Sequence, residues 1–226
     1  MKKYQLIFVF VVLSLSCCLG QNTTTENEQT FALPASQQVD LNLKFANEIK
    51  VISWGQNKVG IKTKITSNSD ELRKLHTMEV LEGKVLQIET GYDMESRKEK
   101  DREYSCWSCN EDREEDCQCL EVSYEVMLPN NAELRLETIS GNIEIRGFEG
   151  KTWAKSISGF VDLGLPSRAN RNLSFKSVTG EIYTDFDVTL DEDSSPWSKK
   201  INTSLNGGGD LISLETVSGD IFFRKE

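Results

Sequence analysis

Ile139-Ser140-Gly141-Asn142-Ile143 recurs as Ile157-Ser158-Gly159-Phe160-Val161, as Val178-Thr179-Gly180-Glu181-Ile182 and as Val217-Ser218-Gly219-Asp220-Ile221. The glycines Gly141, Gly159, Gly180 and Gly219 stand 18, 21 and 39 residues apart, so the last interval has room for two copies. The swollen Leu205-Asn206-Gly207-Gly208-Gly209-Asp210-Leu211 is the expected missing member. A recurring unit of about 20 residues is the mark of stacked repeats. The aliphatic residues two before and two after each glycine are expected to point inward. The hydroxyl residue before each glycine is expected to bond its equivalent in the next copy, and the glycine to supply a positive φ for a sharp bend. The flanks alternate with period two, as in Leu134-Arg135-Leu136-Glu137 and Ile143-Glu144-Ile145-Arg146. The expected fold is therefore all-β, a solenoid-like stack of short strands joined by S-G-x-I turns. A set of hairpins in a β-sandwich is the competing arrangement.

The first half reads as a degenerate start of the same stack. Residues 39–45, 49–52, 59–65, 77–81, 85–90 and 121–128 have strand character, and Asn47 stands where the repeat has glycine. Residues 69–75 carry the one helix signal, with Ser69 as its N-cap.

The chain has 226 residues and a net charge of −10, which disfavours nucleic acid as a partner. Lys2 and Lys3 precede an apolar run from Leu6 to Leu15, too short to span a bilayer, and then small residues to Gly20. Residues 1–20 thus read as a signal peptide, with cleavage after Gly20. A lipobox-like Leu15-Ser16-Cys17-Cys18 offers the other processing route, with Cys18 lipidated. Removal of residues 1–20 takes two lysines and leaves a balance of −12. Residues 21–32 read as a polar linker and residues 33–226 as one domain.

The order of these segments resembles the DUF4097-type putative adhesins, bacterial β-strand repeat proteins of the cell envelope. The resemblance runs from about Phe31 to Glu226 and rests on NEIKVISWGQNKVGIKTKI, LEGKVLQIET, VSYEVMLPNNAELRLETISGNIEI and the S-G-x-I copies. It implies a β-solenoid envelope protein and brings no catalytic residues with it.

Residues 92–120 depart from that pattern as a Cys-rich insert holding Cys106, Cys109, Cys117 and Cys119. In an exported chain the default is two disulfides, and the hairpin-like symmetry of the positions favours Cys106–Cys119 with Cys109–Cys117. Four thiolates also suit a structural zinc site, although the spacing is short for one. Redox chemistry is disfavoured by the acidic run Glu111, Asp112, Glu114, Glu115 and Asp116. Trp107 is expected to cover the bridges or to serve as a contact anchor.

Little in the chain points to catalysis. His76 is the only histidine, and Gly207-Gly208-Gly209 precedes a strand signal without the lysine of a phosphate loop. The one enzymatic idea pairs Glu181 with Asp220, expected two coils apart, as carboxylates of a polysaccharide-active enzyme. Asp191, Glu192 and Asp193 read as a solvated acidic loop. Asn22, Asn172 and Asn202 fit N-x-S/T sequons, which matter only in a eukaryotic secretory pathway. The expected protein is exported to the periplasm, the outer-membrane surface or the extracellular space. It is expected to be non-catalytic and without cofactor, an adhesin-like binding or scaffolding module for a protein or glycan at the cell surface. Membrane contact is expected only through an N-terminal lipid. A regulatory component that senses envelope stress through a membrane partner is the alternative. Phe222 and Phe223 are expected to cap the stack or to form an interface.

Overall fold

The computed structural model describes residues 22–93, 120–187 and 199–226, together with the backbone of 191–192. The signal segment, Cys18, the four cysteines of the insert, Trp107 and Asp193 lie outside the described residues.

The described chain is mostly strand, with one short helix. It runs β1 (Thr23–Ala32), β2 (Gln38–Leu43), β3 (Glu48–Ser53), β4 (Lys58–Ser67), α1 (Asp70–Leu75), β5 (His76–Leu81), β6 (Leu86–Tyr92), β7 (Leu120–Leu128) and β8 (Glu133–Ser140). It continues through β9 (Asn142–Arg146), β10 (Thr152–Ser158), β11 (Val161–Leu165), β12 (Arg171–Ser177), β13 (Ile182–Thr184), β14 (Asp191–Glu192), β15 (Lys199–Leu205), β16 (Asp210–Ser218) and β17 (Ile221–Lys225). These strands form two sheets, β1-β4-β7-β3-β9-β11-β17-β13 and β14-β15-β12-β16-β10-β8-β2-β6-β5.

Most of the chain is built from one unit, a strand of the second sheet followed by a strand of the first. Six such rungs occur among the described residues: β2/β3, β6/β7, β8/β9, β10/β11, β12/β13 and β16/β17. Neighbouring rungs pair in parallel and in register, for example Leu136 beside Ala154 and Ala154 beside Leu214. The alternation of the sequence decides which side is buried. Leu134, Leu136, Ile143 and Ile145 turn inward, while Arg135, Glu137, Glu144 and Arg146 turn out. The inward residues form one continuous core, with Ile49, Val161, Leu163, Ile212, Leu214, Ile221 and Phe223 fully buried.

The rungs are not stacked in chain order. Their spatial order is β6/β7, β2/β3, β8/β9, β10/β11, β16/β17, β12/β13. The last rung of the chain therefore sits between the fourth and fifth, with β16 hydrogen-bonded to β10 on one side and β12 on the other. This placement overturns the expectation that Leu205–Leu211 is a swollen copy of the repeat. Leu205 ends β15, which runs antiparallel along the outer edge of β12, and residues 206–209 cross over β12 to start β16. The crossing explains the glycines. Asn206, Gly207 and Gly208 have φ of 50°, 87° and 86°. A Cβ on Gly209 would lie 2.3 Å from the Asn170 carbonyl oxygen beneath it. Asn206 Nδ2 ties the crossing down by donating to the carbonyls of Ser167 and Ala169, both at 2.9 Å.

Two further expectations are corrected. Thr23–Ala32, read as part of a flexible linker, forms β1 and pairs with β4 along its whole length, although Thr23 to Thr30 are all exposed. Asp191 and Glu192, read as loop, form β14 against β15. The helix α1 matches its sequence signal, with the Ser69 hydroxyl accepting from the Leu72 amide at 3.4 Å.

Candidate functional site

The repeat glycines form a spine. In spatial order Gly141 packs on Ala46, Gly159 on Gly141, Gly219 on Gly159 and Gly180 on Gly219. A Cβ on Gly159 or on Gly219 would lie 2.2 Å from the carbonyl oxygen of the glycine beneath, and one on Gly180 only 1.9 Å. None of the four has a positive φ, so close stacking rather than a left-handed bend requires glycine here. Asn47 likewise has no positive φ, and Ala46 occupies the glycine level of its rung.

The hydroxyls that matter lie three residues before each glycine. Thr138, Ser156, Ser177 and Thr216 are buried. Ser156 Oγ donates to the Gly141 carbonyl at 2.8 Å, and Thr216 Oγ1 to the Gly219 carbonyl at 2.7 Å. Ser177 Oγ donates to that same carbonyl at 3.1 Å and accepts from the Gly180 amide. These bonds satisfy the turn carbonyls at the edge of the core. The recurring Thr/Ser three residues before Gly was the available signal. Of the hydroxyls next to the glycines, Thr179 donates to the Val217 carbonyl at 3.1 Å. The aliphatic residues two before the glycines also turn outward, with Ile139, Val217 and Val178 exposed, whereas those two after point inward as expected.

The outer face of the first sheet gathers aromatic and charged side chains over the last three rungs of the stack. Phe160, Phe222 and Tyr183 stand on β11's leading turn, β17 and β13. Tyr183 and Phe222 stack at 5.2 Å, and Phe160 meets Phe222 edge-on at 5.9 Å. Tyr183 is half exposed. Beside them Asp162, almost fully buried, accepts from Arg146 at 2.7 Å and from Arg224 at 3.1 Å, and the Arg224 guanidinium lies 4.9 Å from the Phe222 ring centre. The Glu226 carboxylate covers Gly164 and approaches Arg146 at 3.6 Å. Parallel registry creates this cluster, because residues equivalent in successive rungs become lateral neighbours. Phe222 and Phe223 therefore have opposite fates. Phe223 is buried against Phe175 and Phe186, while Phe222 is half-buried in the row on the outer face.

Glu181 and Asp220 are on adjacent rungs, not two apart. Asp220 Oδ1 accepts the Glu181 amide at 2.8 Å, and Glu181 pairs with Lys199. Asp220 thus holds a turn together, and the two-coil spacing expected of the pair is not present.

His76 begins β5, and its Nε2 shares a 2.6 Å hydrogen bond with the Tyr124 hydroxyl. Tyr92 packs edge-on against His76 and stacks on Phe45. Burial lowers the His76 pKa from 6.5, raises that of Tyr124 and pushes Tyr92 up to about 12. The unfolded chain accordingly binds a proton at His76 near 6.5 while the folded chain does not. This contribution to stability is complete above 6.5 and is lost as pH falls toward the lower folded value. Since His76 is the only histidine, its imidazole resonance in an NMR titration is expected to show a midpoint below 6.5. A midpoint at or above 6.5 contradicts the buried, neutral ring.

The fold has a solved counterpart. The chain is similar to a putative cell adhesion protein from Clostridium sporogenes ATCC 15579, with 14% identity and a TM-score of 0.53 over 90% of this chain and 100% of that one. This likeness shows the fold. Looser similarity extends to a putative adhesin from Bacteroides fragilis NCTC 9343, with 8% identity and a TM-score of 0.24 over 89% of this chain and 97% of that one. A putative lipid binding protein from Parabacteroides distasonis ATCC 8503 has 9% identity and a TM-score of 0.26 over 90% and 96%. No protein-family model and no curated protein matches the chain. No described helix is long and apolar enough to cross a membrane.

Proposed function

We propose that the chain is an exported, non-catalytic protein of the bacterial cell envelope, an adhesin-like module that binds or scaffolds a surface molecule. The observation that carries this reading is the row Phe160, Phe222 and Tyr183 beside the Arg146–Asp162–Arg224 network. Aromatic and arginine side chains held on a rigid sheet give contact area at little ordering cost, which is how binding surfaces obtain affinity. The sharing of fold with a solved protein named for cell adhesion supports the same reading, as does the N-terminal segment read as an export signal. On this view the parallel rungs are a solenoid-like scaffold of the DUF4097 type with an interleaved last rung. Cys18 or Gln21 begins the mature chain, and the Cys106–Cys119 and Cys109–Cys117 pairs cross-link the insert.

The test is retention of the fluorescently labelled mature chain on intact bacterial cells and on immobilised envelope glycans. Tyr183→Ala is expected to lower retention about tenfold, the loss of one binding hot spot, at an unchanged melting temperature. Equal retention by Tyr183→Ala and Arg224→Ala variants moves binding away from this face.

A further inference from the structure

The longest open edge among the described strands is β1. Of the four strands that end a sheet, β14, β13 and β5 have two, three and six residues, whereas β1 has ten. Short edge strands are one way in which proteins prevent unwanted pairing, along with proline, lysine and bulges. Thr23–Ala32 has neither proline nor lysine, and it pairs with β4 without a break in register from Thr23↔Ser67 to Ala32↔Lys58. Among the described residues no strand lies on its other side. Alternate backbone N–H and C=O groups along ten residues therefore face outward.

Charge indicates what fits there. Along one row of the outer face the sign alternates from strand to strand, in the order Glu144, Lys50, Glu125, Lys62, Glu28. The next row ends in the same sense with Lys64 beside Glu26, and Glu26 also contacts Lys62 at 3.2 Å. β1 thus closes both rows with an exposed carboxylate, at positions two residues apart. A strand added to this edge continues the pattern if it carries cations at the same two-residue spacing. A second copy of β1 does not. Antiparallel pairing centred on Asn27 sets Glu26 against Glu28, and parallel pairing in register sets each glutamate against itself.

We propose that β1 is a strand-addition site for an extended polypeptide segment with lysine or arginine at alternate positions, opposite Glu26 and Glu28. The main chain of the segment supplies the hydrogen bonds and its alternate cations set the register. This inference goes beyond the aromatic face and does not depend on it.

The probe is a capped ten-residue peptide of alternating lysine and threonine, added to the full mature chain at about 0.15 M salt, where long-range attraction is screened. Amide exchange at every second residue of β1 is expected to slow at least tenfold. Glu26→Gln combined with Glu28→Gln is expected to weaken binding about tenfold with little change in melting temperature, since both side chains are exposed and no like charges are brought together. An isomer with its lysines in one block, and a version N-methylated at alternate residues, are expected to bind at least tenfold more weakly. Equal binding of either control means attraction to net charge alone and overturns the proposal. Unchanged exchange along β1 also overturns it, as does dimerisation of the chain through β1 without peptide.

Discussion

Gly159→Ala is expected to destabilise the protein by about 3 kcal/mol, a fall in melting temperature of about 6–12 °C for a chain of this size. The added Cβ would stand 2.2 Å from the Gly141 carbonyl oxygen and 2.7 Å from its carbon. Both are backbone atoms of the neighbouring rung, so no side chain can swing aside. Gly219 rests on Gly159 in the same way, which leaves the intruded rung clamped from both sides. Relief requires separating parallel strands whose hydrogen bonds hold the core closed. Gly55→Ala is the matched control. A Cβ there meets nothing within 4 Å, so the substitution is expected to be neutral or to add about 0.5 kcal/mol by restricting the unfolded chain. Urea titration of both variants measures the contrast. Equal effects would mean that the spine tolerates an extra methyl group and that stacking does not explain its glycines.

Removing residues 210–226 is expected to detach far more of the chain than is cut away. Among the described strands β12 pairs only with β15 and β16, and β13 only with β17. Without β16 and β17 the region from Arg171 to Leu205 loses every described ladder to the rest of the sheets. Leu173 and Phe175 lose the neighbouring Ile212 and Leu214 at the same time. The urea m-value is expected to fall by about a quarter, in proportion to the share of folded chain released. Hydrogen exchange should show β12 and β15 unprotected while β2 and β8 stay protected. Protection of β12 in the truncated chain would show that the fifth rung docks on β10/β11 directly, closing the slot. Until residues 210–226 arrive, β12 and β13 lack the strands that join them to the β10/β11 rung, so β16 and β17 complete the stack.

Much of the local structure was legible in the residues. The alternation in Leu134-Arg135-Leu136-Glu137 announces both a strand and its buried side, because side chains on a pleated strand alternate whatever its neighbours are. Ser69 marks the start of α1 because the cap bond is made within three residues. The candidate face was legible only in fragments. Phe160 was visible as a residue following a repeat glycine, and Phe222 as an aromatic near Glu226. Their grouping with Tyr183, Arg146 and Arg224 follows from the register of four strands far apart in the chain.

The errors share one cause. Positive φ at the repeat glycines, two coils between Glu181 and Asp220, and a swollen copy at Leu205–Leu211 were each inferred along the chain. The structure resolves all three across it. β1 shows the same limit from the other side, since a polar run whose one partly buried residue is Phe31 becomes a strand chiefly through pairing with β4. By itself the sequence determined the strands, their inward faces and the repeating glycine turns, because these rest on interactions within a few residues. Tertiary structure decided the order of the rungs, the reason for glycine and the neighbours on the outer face. Parallel backbone ladders are chemically alike from one rung to the next, so only the packing of the whole core selects which edge each rung joins.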